Sequence, residues 1–288
     1  MIWLLLALAA AGSESLRDLF IKKSTRRLDP RVVAWAWRFL ATIFLLPLLL
    51  VLPLSSVQQA FWPAIAASLA LNMIATLLMA SALKHSDLSL ISPLATFTAV
   101  FALAFSPFVI GELPSLMGLV GVLLIVAGSY VLNLRAGSGL LAPLISLSKD
   151  KGARMMMGAA LAWGLVAPID KIAVTASSPV FYSIAINALL AIALAPLLAR
   201  KLRGRINRSS LNNLVPLGLF SALMLIAEMV AITMTLVPFV AALKKLSALF
   251  GVMLGKVALH EKEAKERLPA AAIMVVGAAL IALSFGGV

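Results

Sequence analysis

Apolar residues run along this chain in blocks of roughly 20, parted by short polar stretches, without the period-two alternation of a half-buried strand. The first block opens with MIWLLLALAAAG and the fourth ends in FALAFSPFVI. A helix rises about 1.5 Å per residue, so such a block matches the ~30 Å hydrocarbon core of a bilayer. A membrane barrel would instead show alternating segments of about 10 residues. The pattern predicts ten helices, over about 1–22, 31–53, 60–83, 88–110, 115–134, 154–174, 179–199, 211–235, 238–259 and 268–286. The fold class is therefore all-α integral membrane, with ten transmembrane helices.

The polar positions test that count. Basic residues gather in alternate loops: Lys22, Lys23, Arg26, Arg27 and Arg31; Lys84; Arg135, Lys149, Lys151 and Arg154; Arg200, Lys201, Arg203, Arg205 and Arg208; Lys262, Lys265 and Arg267. The other loops, near LPLSSVQQ, GELPS, TASSP and TLVP, hold none. Cytoplasmic loops carry the excess of Lys and Arg, and a wrong number of spans would scramble this segregation. The expected topology is multi-pass in the cytoplasmic (inner) membrane, with both termini external. Positive charge follows the first apolar block instead of preceding it, so that block reads as a retained span and not as a signal peptide.

Composition agrees and removes some functions. Hydrophobic residues make up 62% and charged residues 12%, against about 25% charged in soluble domains. A net charge of +13 would suggest nucleic acid in a soluble protein. Here the cytoplasmic loops account for it; the expected partner is the lipid bilayer, with no nucleic acid. There is no cysteine, which excludes disulfides and thiolate chemistry. His85 and His260 stand apart near span ends, so no metal or cofactor is expected. Neither H-E-x-x-H nor G-x-S-x-G occurs, and no enzyme is expected.

The chain also repeats itself. A shift of 149 carries Pro30 onto Pro179, Pro47-Leu48-Leu49 onto Pro196-Leu197-Leu198, Glu112 onto Glu261 and Gly128 onto Gly277. It also carries Ala102-xxx-Ser106 onto Gly251-xxx-Gly255, a recurring small-residue packing face. A shift of 152 pairs Gly12 with Gly164 and Asp18 with Asp170 in the first span of each half. The expected organisation is a five-helix repeat over 1–136, a linker over 137–149 and a second repeat over 150–288. Five is odd, so the second repeat enters the membrane inverted. Inverted repeats are a mark of secondary transporters, whose substrate site lies at the repeat interface near the midplane.

Ten helices in two such repeats resemble the drug/metabolite transporter superfamily, in its EamA-type branch. So do the glycines of AAG at 10–12 and AWG at 162–164, and the acidic residues of IGEL and LHEK, each followed sixteen residues on by a glycine. The likeness covers essentially the whole chain. It implies alternating access between two helical bundles and movement of small metabolites. Many members carry basic residues between spans two and three; this chain has only LPLSSVQQ there, which implies the opposite orientation.

Charges inside the spans supply the candidate chemistry. They are Glu14, Arg17 and Asp18 in span one, Arg38 in span two, Asp170 and Lys171 in span six, Glu228 in span eight, and Lys244 and Lys245 in span nine; Lys256 lies near a span end. Each costs about 2.5–3.5 kcal/mol at mid-bilayer, so each is expected to face the interior and find a partner. Glu14, Arg17 and Asp18 share one helix face. A carboxylate in a cavity can exchange protons, whereas Arg17 one turn away favours a structural ion pair with Glu14. Both roles stand open for Glu14, and protons are a candidate partner. The spacing of Glu14 and Lys22 is similar to the first helix of the small multidrug resistance transporters, which implies the proton-carrying role. Pro168 is expected to kink span six beside Asp170 and Lys171, which either face inward or snorkel to the external surface. Ser92-Pro93 is a second expected kink. Arg38 aligns with Asn187 under the shift of 149, and both are expected to face the central cavity. Trp35, Trp37 and Trp163 are candidates for stacking on a substrate.

The segment LVPFVAALKKLSALFGVMLG places Lys244 and Lys245 within the ninth span. As a loop they would be external, where no other basic residue lies, and the remaining 246–259 would be short for a span. Adjacent residues on a helix point about 100° apart, so the pair is expected to divide its work: one lysine on Glu228, the other free for a substrate. Plastid-type sugar-phosphate translocators and nucleotide-sugar carriers are similar in placing basic residues in the ninth helix, which implies an anionic ligand. The expected function is secondary active transport of a small polar metabolite bearing a negative group. Its binding residues would be Lys244, Lys245, Arg38, Asn187 and Trp163; Glu14, Arg17, Asp18, Glu228, Asp170 and Lys171 would serve coupling or charge balance. The alternative is a membrane protein that handles lipid or assists assembly. Either a monomer or a homodimer is expected.

Overall fold

The computed structural model describes residues 1–51, 56–134, 139–198, 208–252 and 268–285. In chain order its helices are α1 (Ile2–Thr25), α2 (Pro30–Leu45), α3 (Leu48–Val51), α4 (Phe61–His85), α5 (Leu88–Ala95), α6 (Phe97–Ile110) and α7 (Leu116–Leu132). They continue with α8 (Ala142–Lys149), α9 (Lys151–Thr175), α10 (Pro179–Leu198), α11 (Arg208–Met234), α12 (Val237–Lys244), α13 (247–252) and α14 (Leu268–Phe285). Among the described residues every regular element is a helix. Helices close all their backbone hydrogen bonds internally, which hydrocarbon demands.

Among the described residues six segments are long and apolar enough to cross a membrane: Pro30–Val51, Phe61–His85, Leu90–Ile110, Lys151–Thr175, Pro179–Pro196 and Asn212–Met234. Two more, Leu116–Leu132 and Leu268–Ser284, are apolar but shorter. The protein is a multi-pass membrane protein. Arg135, the basic residues 200–205 and 262–267, and Lys256, His260 and Glu261 lie outside the described residues.

Local sequence sets the helix ends. Asp29 accepts from the Arg31 amide at 2.9 Å ahead of Pro30, the first residue of α2. Ser115 accepts from the Gly118 amide at 3.2 Å to start α7, and Asp150 accepts from the Ala153 amide at 2.6 Å to start α9. Such caps satisfy amides that the first turn leaves open. Gly111 ends α6 at φ 71°, a left-handed conformation that glycine adopts without a Cβ clash.

Packing obeys the repeat. α4 packs on α9 and α1 on α11; exchanging the two halves turns one pairing into the other. α7 meets its own repeat mate α14, and α2 meets α10. A Cβ on Gly121 would lie 2.7 Å from the Gly277 carbonyl oxygen, and one on Gly128 would lie 2.8 Å from that of Ala270. The shift of 149 turns Gly121 into Ala270 and Gly128 into Gly277, so these two contacts are images of each other. Numbers rise along α7 as they fall along α14; the mates run antiparallel and the repeats are inverted. Close backbone approach through small residues is how helices pack where lipid and side chains are equally apolar.

Three details go beyond the sequence reading. The linker is not extended throughout: α8 forms within it, carrying Pro143 as its only buried residue. α9 continues through Pro168 as one helix. Gly164, four residues earlier, lets Phe101 of α6 lie directly on α9, where a Cβ would collide with it; packing on both sides holds the helix in spite of the missing amide. The ninth segment stops at Lys244, turns through Lys245 and Leu246, and resumes as α13. The fourth breaks at Thr96, between α5 and α6, one turn beyond Pro93. The shift of 149 places these two breaks opposite each other.

Candidate functional site

A cavity of about 850 Å³ lies between the repeats. Lys22, Thr25, Leu83, Ser92 and Asn133 reach its wall, so it extends toward the end of the bundle that carries the basic loops. Lys244, Lys245, Arg38, Asn187, Trp163, Glu14, Arg17, Asp18, Glu228 and Asp170 all line it. Residues as far apart in the chain as Glu14 and Lys245 are thereby brought to one space, while Lys171 is not among its lining residues.

Most of the charge is balanced internally. Arg17 on α1 holds Glu14 at 3.1 Å and Asp18 at 2.8 Å. Its guanidinium also lies 5.4 Å from the Trp37 ring centre and donates to the Met224 sulfur at 3.0 Å. Lys244 at the end of α12 donates to Glu228 of α11 at 2.6 Å. Truncating one partner of such a pair strands the other charge.

Lys245 and Arg38, which face the cavity among the charged network, have no carboxylate within ion-pair distance among the described residues. Lys245 donates to the Ala95 carbonyl at 3.1 Å. That carbonyl lies at the break between α5 and α6, so the break of one repeat meets the break of the other. Arg38 donates to Asn187 Oδ1 at 3.3 Å, sits 5.4 Å from the Trp37 ring centre, and leaves its buried Nε without a partner. Arg38 and Asn187 are repeat mates in direct contact, which puts them on the pseudo-two-fold axis.

Of the tryptophans, Trp37 and Trp163 line the cavity. Trp35 faces elsewhere: it donates to the Ala191 carbonyl at 2.9 Å and stacks on Phe39.

Asp170 and Lys171 separate sharply. Asp170 is 8% exposed and accepts from Ser68 at 2.6 Å and Tyr182 at 2.5 Å. Lys171 turns away from the cavity to the Glu112 carboxylate and the Thr235 carbonyl, the latter at 2.8 Å. The second oxygen of Glu112 accepts from the Val237 amide at 2.7 Å, capping α12. Asp170 is buried, whereas Lys171 is only partly so and reaches the connections at one end of the bundle. The Glu112–Lys171 contact joins the end of α6 to α9 and to the α11–α12 turn, so it ties the repeats together at the end away from the basic loops.

Ser68, Asn72, Tyr182 and Glu112's ion-pair role escaped sequence reasoning. Ser68 and Asn72 had a usable signal: polar residues at i and i+4 on an otherwise apolar span. At the basic end, Asp150 accepts from the Ser86 hydroxyl. That bond, followed by the Ala153 amide, holds its carboxyl below the usual aspartate range.

Comparison with known proteins places this architecture. A family model described as the EamA-like transporter family matches residues 1–134 and 150–283. A solved crystal structure superposes with a TM-score of 0.81 at 18% identity, over 98% of this chain and 96% of that one; it shows the fold. No curated protein matches the chain. The chain belongs to the EamA-like transporter family.

Proposed function

We propose that this member of the family is a secondary active transporter of the cytoplasmic membrane, moving a small polar metabolite that carries at least one negative group. In this reading ten helices cross the bilayer as two inverted repeats, with both termini external. The observation that carries it is Lys245. An ammonium at membrane depth needs a partner, and this one faces a cavity with, among the described residues, a single backbone carbonyl on it. A carboxylate or other anion entering the cavity would supply that partner, with Arg38 and Asn187 beside it on the axis.

Lys244 belongs to the scaffold, since Glu228 occupies it. Glu14 and Asp18 likewise share Arg17. The reach of the cavity toward the basic loops supports alternating access, with the present state open to that side. A lipid-handling protein would favour an apolar groove; unpaired cations in the cavity favour transport.

Proteoliposomes given pools of labelled small metabolites under an imposed pH gradient test the reading. Wild type is expected to accumulate an anionic compound. Lys245→Ala is expected to weaken its binding by about 2 kcal/mol, roughly 30-fold, the worth of a charged hydrogen bond. Equal transport by wild type and variant would remove Lys245 from the site.

A further inference from the structure

Asp170 is the buried carboxylate that the charge network around Glu14 leaves out. Three oxygens form a closed triangle: Asp170 Oδ1 with the Ser68 hydroxyl at 2.6 Å, with the Tyr182 hydroxyl at 2.5 Å, and the two hydroxyls 2.9 Å from each other. Asn72 donates its amide to the Ser68 oxygen at 3.1 Å. All lie in the wall of α4, α9 and α10. No described residue donates to Oδ2 of Asp170, and the side chain borders the cavity.

The hydrogens in this triangle can be counted. A hydroxyl donates one hydrogen and accepts up to two; a carboxylate only accepts. With Asp170 ionised, Ser68 and Tyr182 both donate to Oδ1, and the edge between the two hydroxyls holds no hydrogen. One more hydrogen, on Oδ1, lets the ring close. Oδ1–H then donates to Tyr182, Tyr182 to Ser68, and Ser68 back to Oδ1, with Asn72 filling the second acceptor position of Ser68. Every edge is then a hydrogen bond and no atom exceeds its capacity.

From this geometry we infer that Asp170, with Ser68 and Tyr182, is a proton-binding site that exchanges with water in the cavity, and that Glu14 is not. The repeat makes the contrast sharp. Asp18, the equivalent of Asp170 in the first half, has Arg17 on it at 2.8 Å, whereas Asp170 has two neutral hydroxyls.

The charged and titratable groups that face Asp170 are Tyr182 from α10, Arg38 from α2 and Glu228 from α11. α5 and α6 carry no ionisable side chain. Lys84 and His85 of α4 and Lys149 of α8 stand at the basic end. Lys244 of α12 is held on Glu228, and Lys171 of α9 itself turns to Glu112. Proton uptake therefore removes a negative charge that no ammonium or guanidinium directly contacts. The use made of that proton, as a coupling ion, rests on the transport reading; its binding does not.

Infrared difference spectra of purified protein in lipid, recorded between acid and alkaline buffer, test the site without any substrate. Wild type is expected to show the C=O band of a protonated carboxyl. Asp170→Asn should abolish it, Tyr182→Phe and Ser68→Ala should move it to higher frequency by removing hydrogen bonds, and Glu14→Gln should leave it in place. A missing wild-type band, a band that survives Asp170→Asn, or one lost with Glu14→Gln overturns the inference. If Asp170→Asn fails to fold, Tyr182→Phe decides: a shifted band supports the site and an unmoved band refutes it. A protein that shows the band but accumulates no metabolite keeps the proton site and loses the transport reading. Transport without the band does the reverse.

Discussion

The fourth and ninth segments of this chain break at equivalent places and furnish the two breaks differently. Between α5 and α6 the break holds Ala95 and Thr96; between α12 and α13 it holds Lys244 and Lys245. In the first half the Thr96 hydroxyl turns back on the Pro93 carbonyl at 2.6 Å and settles the turn locally. In the second, Lys244 reaches Glu228 on the preceding helix and Lys245 crosses to the Ala95 carbonyl of the other repeat. Duplication produced the backbone event twice, and charge was placed in one copy. A symmetric scaffold can thus carry a polar, asymmetric cavity, because backbone geometry follows the shared pattern of small and apolar residues while ligand chemistry depends on a few side chains.

The largest expected effect comes from taking that charge away. Lys244→Ala leaves Glu228 buried and unpaired, and is expected to cost about 3–5 kcal/mol of stability. Thermal unfolding of the purified protein should register it as a large drop in Tm, with Lys244→Met/Glu228→Gln recovering most of the loss. Lys245→Ala should barely move the Tm. If both single variants melt alike, the two lysines are not divided between scaffold and ligand.

Next in size is the reverse experiment, giving the first half the charge it lacks. Ala95 is the equivalent of Lys244 and Met79 that of Glu228, and both line the cavity. Ala95→Lys alone is expected to destabilise by about 2.5–3.5 kcal/mol, the cost of a lone charge in the membrane. Adding Met79→Glu should restore much of it if the two breaks share one geometry. A Tm unchanged by the second substitution would show that equivalence stops at the backbone.

The smallest effect concerns the junction of α4 and α9 at the basic end, where Asp150 accepts from Ser86 and the Ala153 amide. These bonds depress its carboxyl from the ordinary value of 3.8. A depressed group contributes stability above its unfolded value and loses it as pH falls through the lower folded value. Hydrogen exchange should therefore show protection of the Ala153 amide constant near neutrality and falling at pH below about 4. In Asp150→Asn that acid step should disappear.

Hydropathy, loop charge and the internal shift of 149 were enough to predict a helical membrane protein built from a duplicated unit. They were enough because the bilayer imposes length, apolarity and charge sidedness on each segment separately, without reference to the others. The helix break at Lys244–Lys245 was not legible: a run of helix-compatible residues gives no local reason to stop there. Nor could chain position distinguish Asp170 from Lys171. They are neighbours in sequence, but a turn of about 100° per residue sends one to the hydroxyls of α4 and α10 and the other to Glu112. Sequence left Glu14 open between proton exchange and the ion pair with Arg17 that the structure forms, and left open which of Lys244 and Lys245 would meet Glu228. By itself the sequence determined that the chain is a helical membrane protein and which halves are related. Only the tertiary structure decided which charges are cancelled and which remain available, because pairing depends on distances between helices that no pattern along one helix encodes.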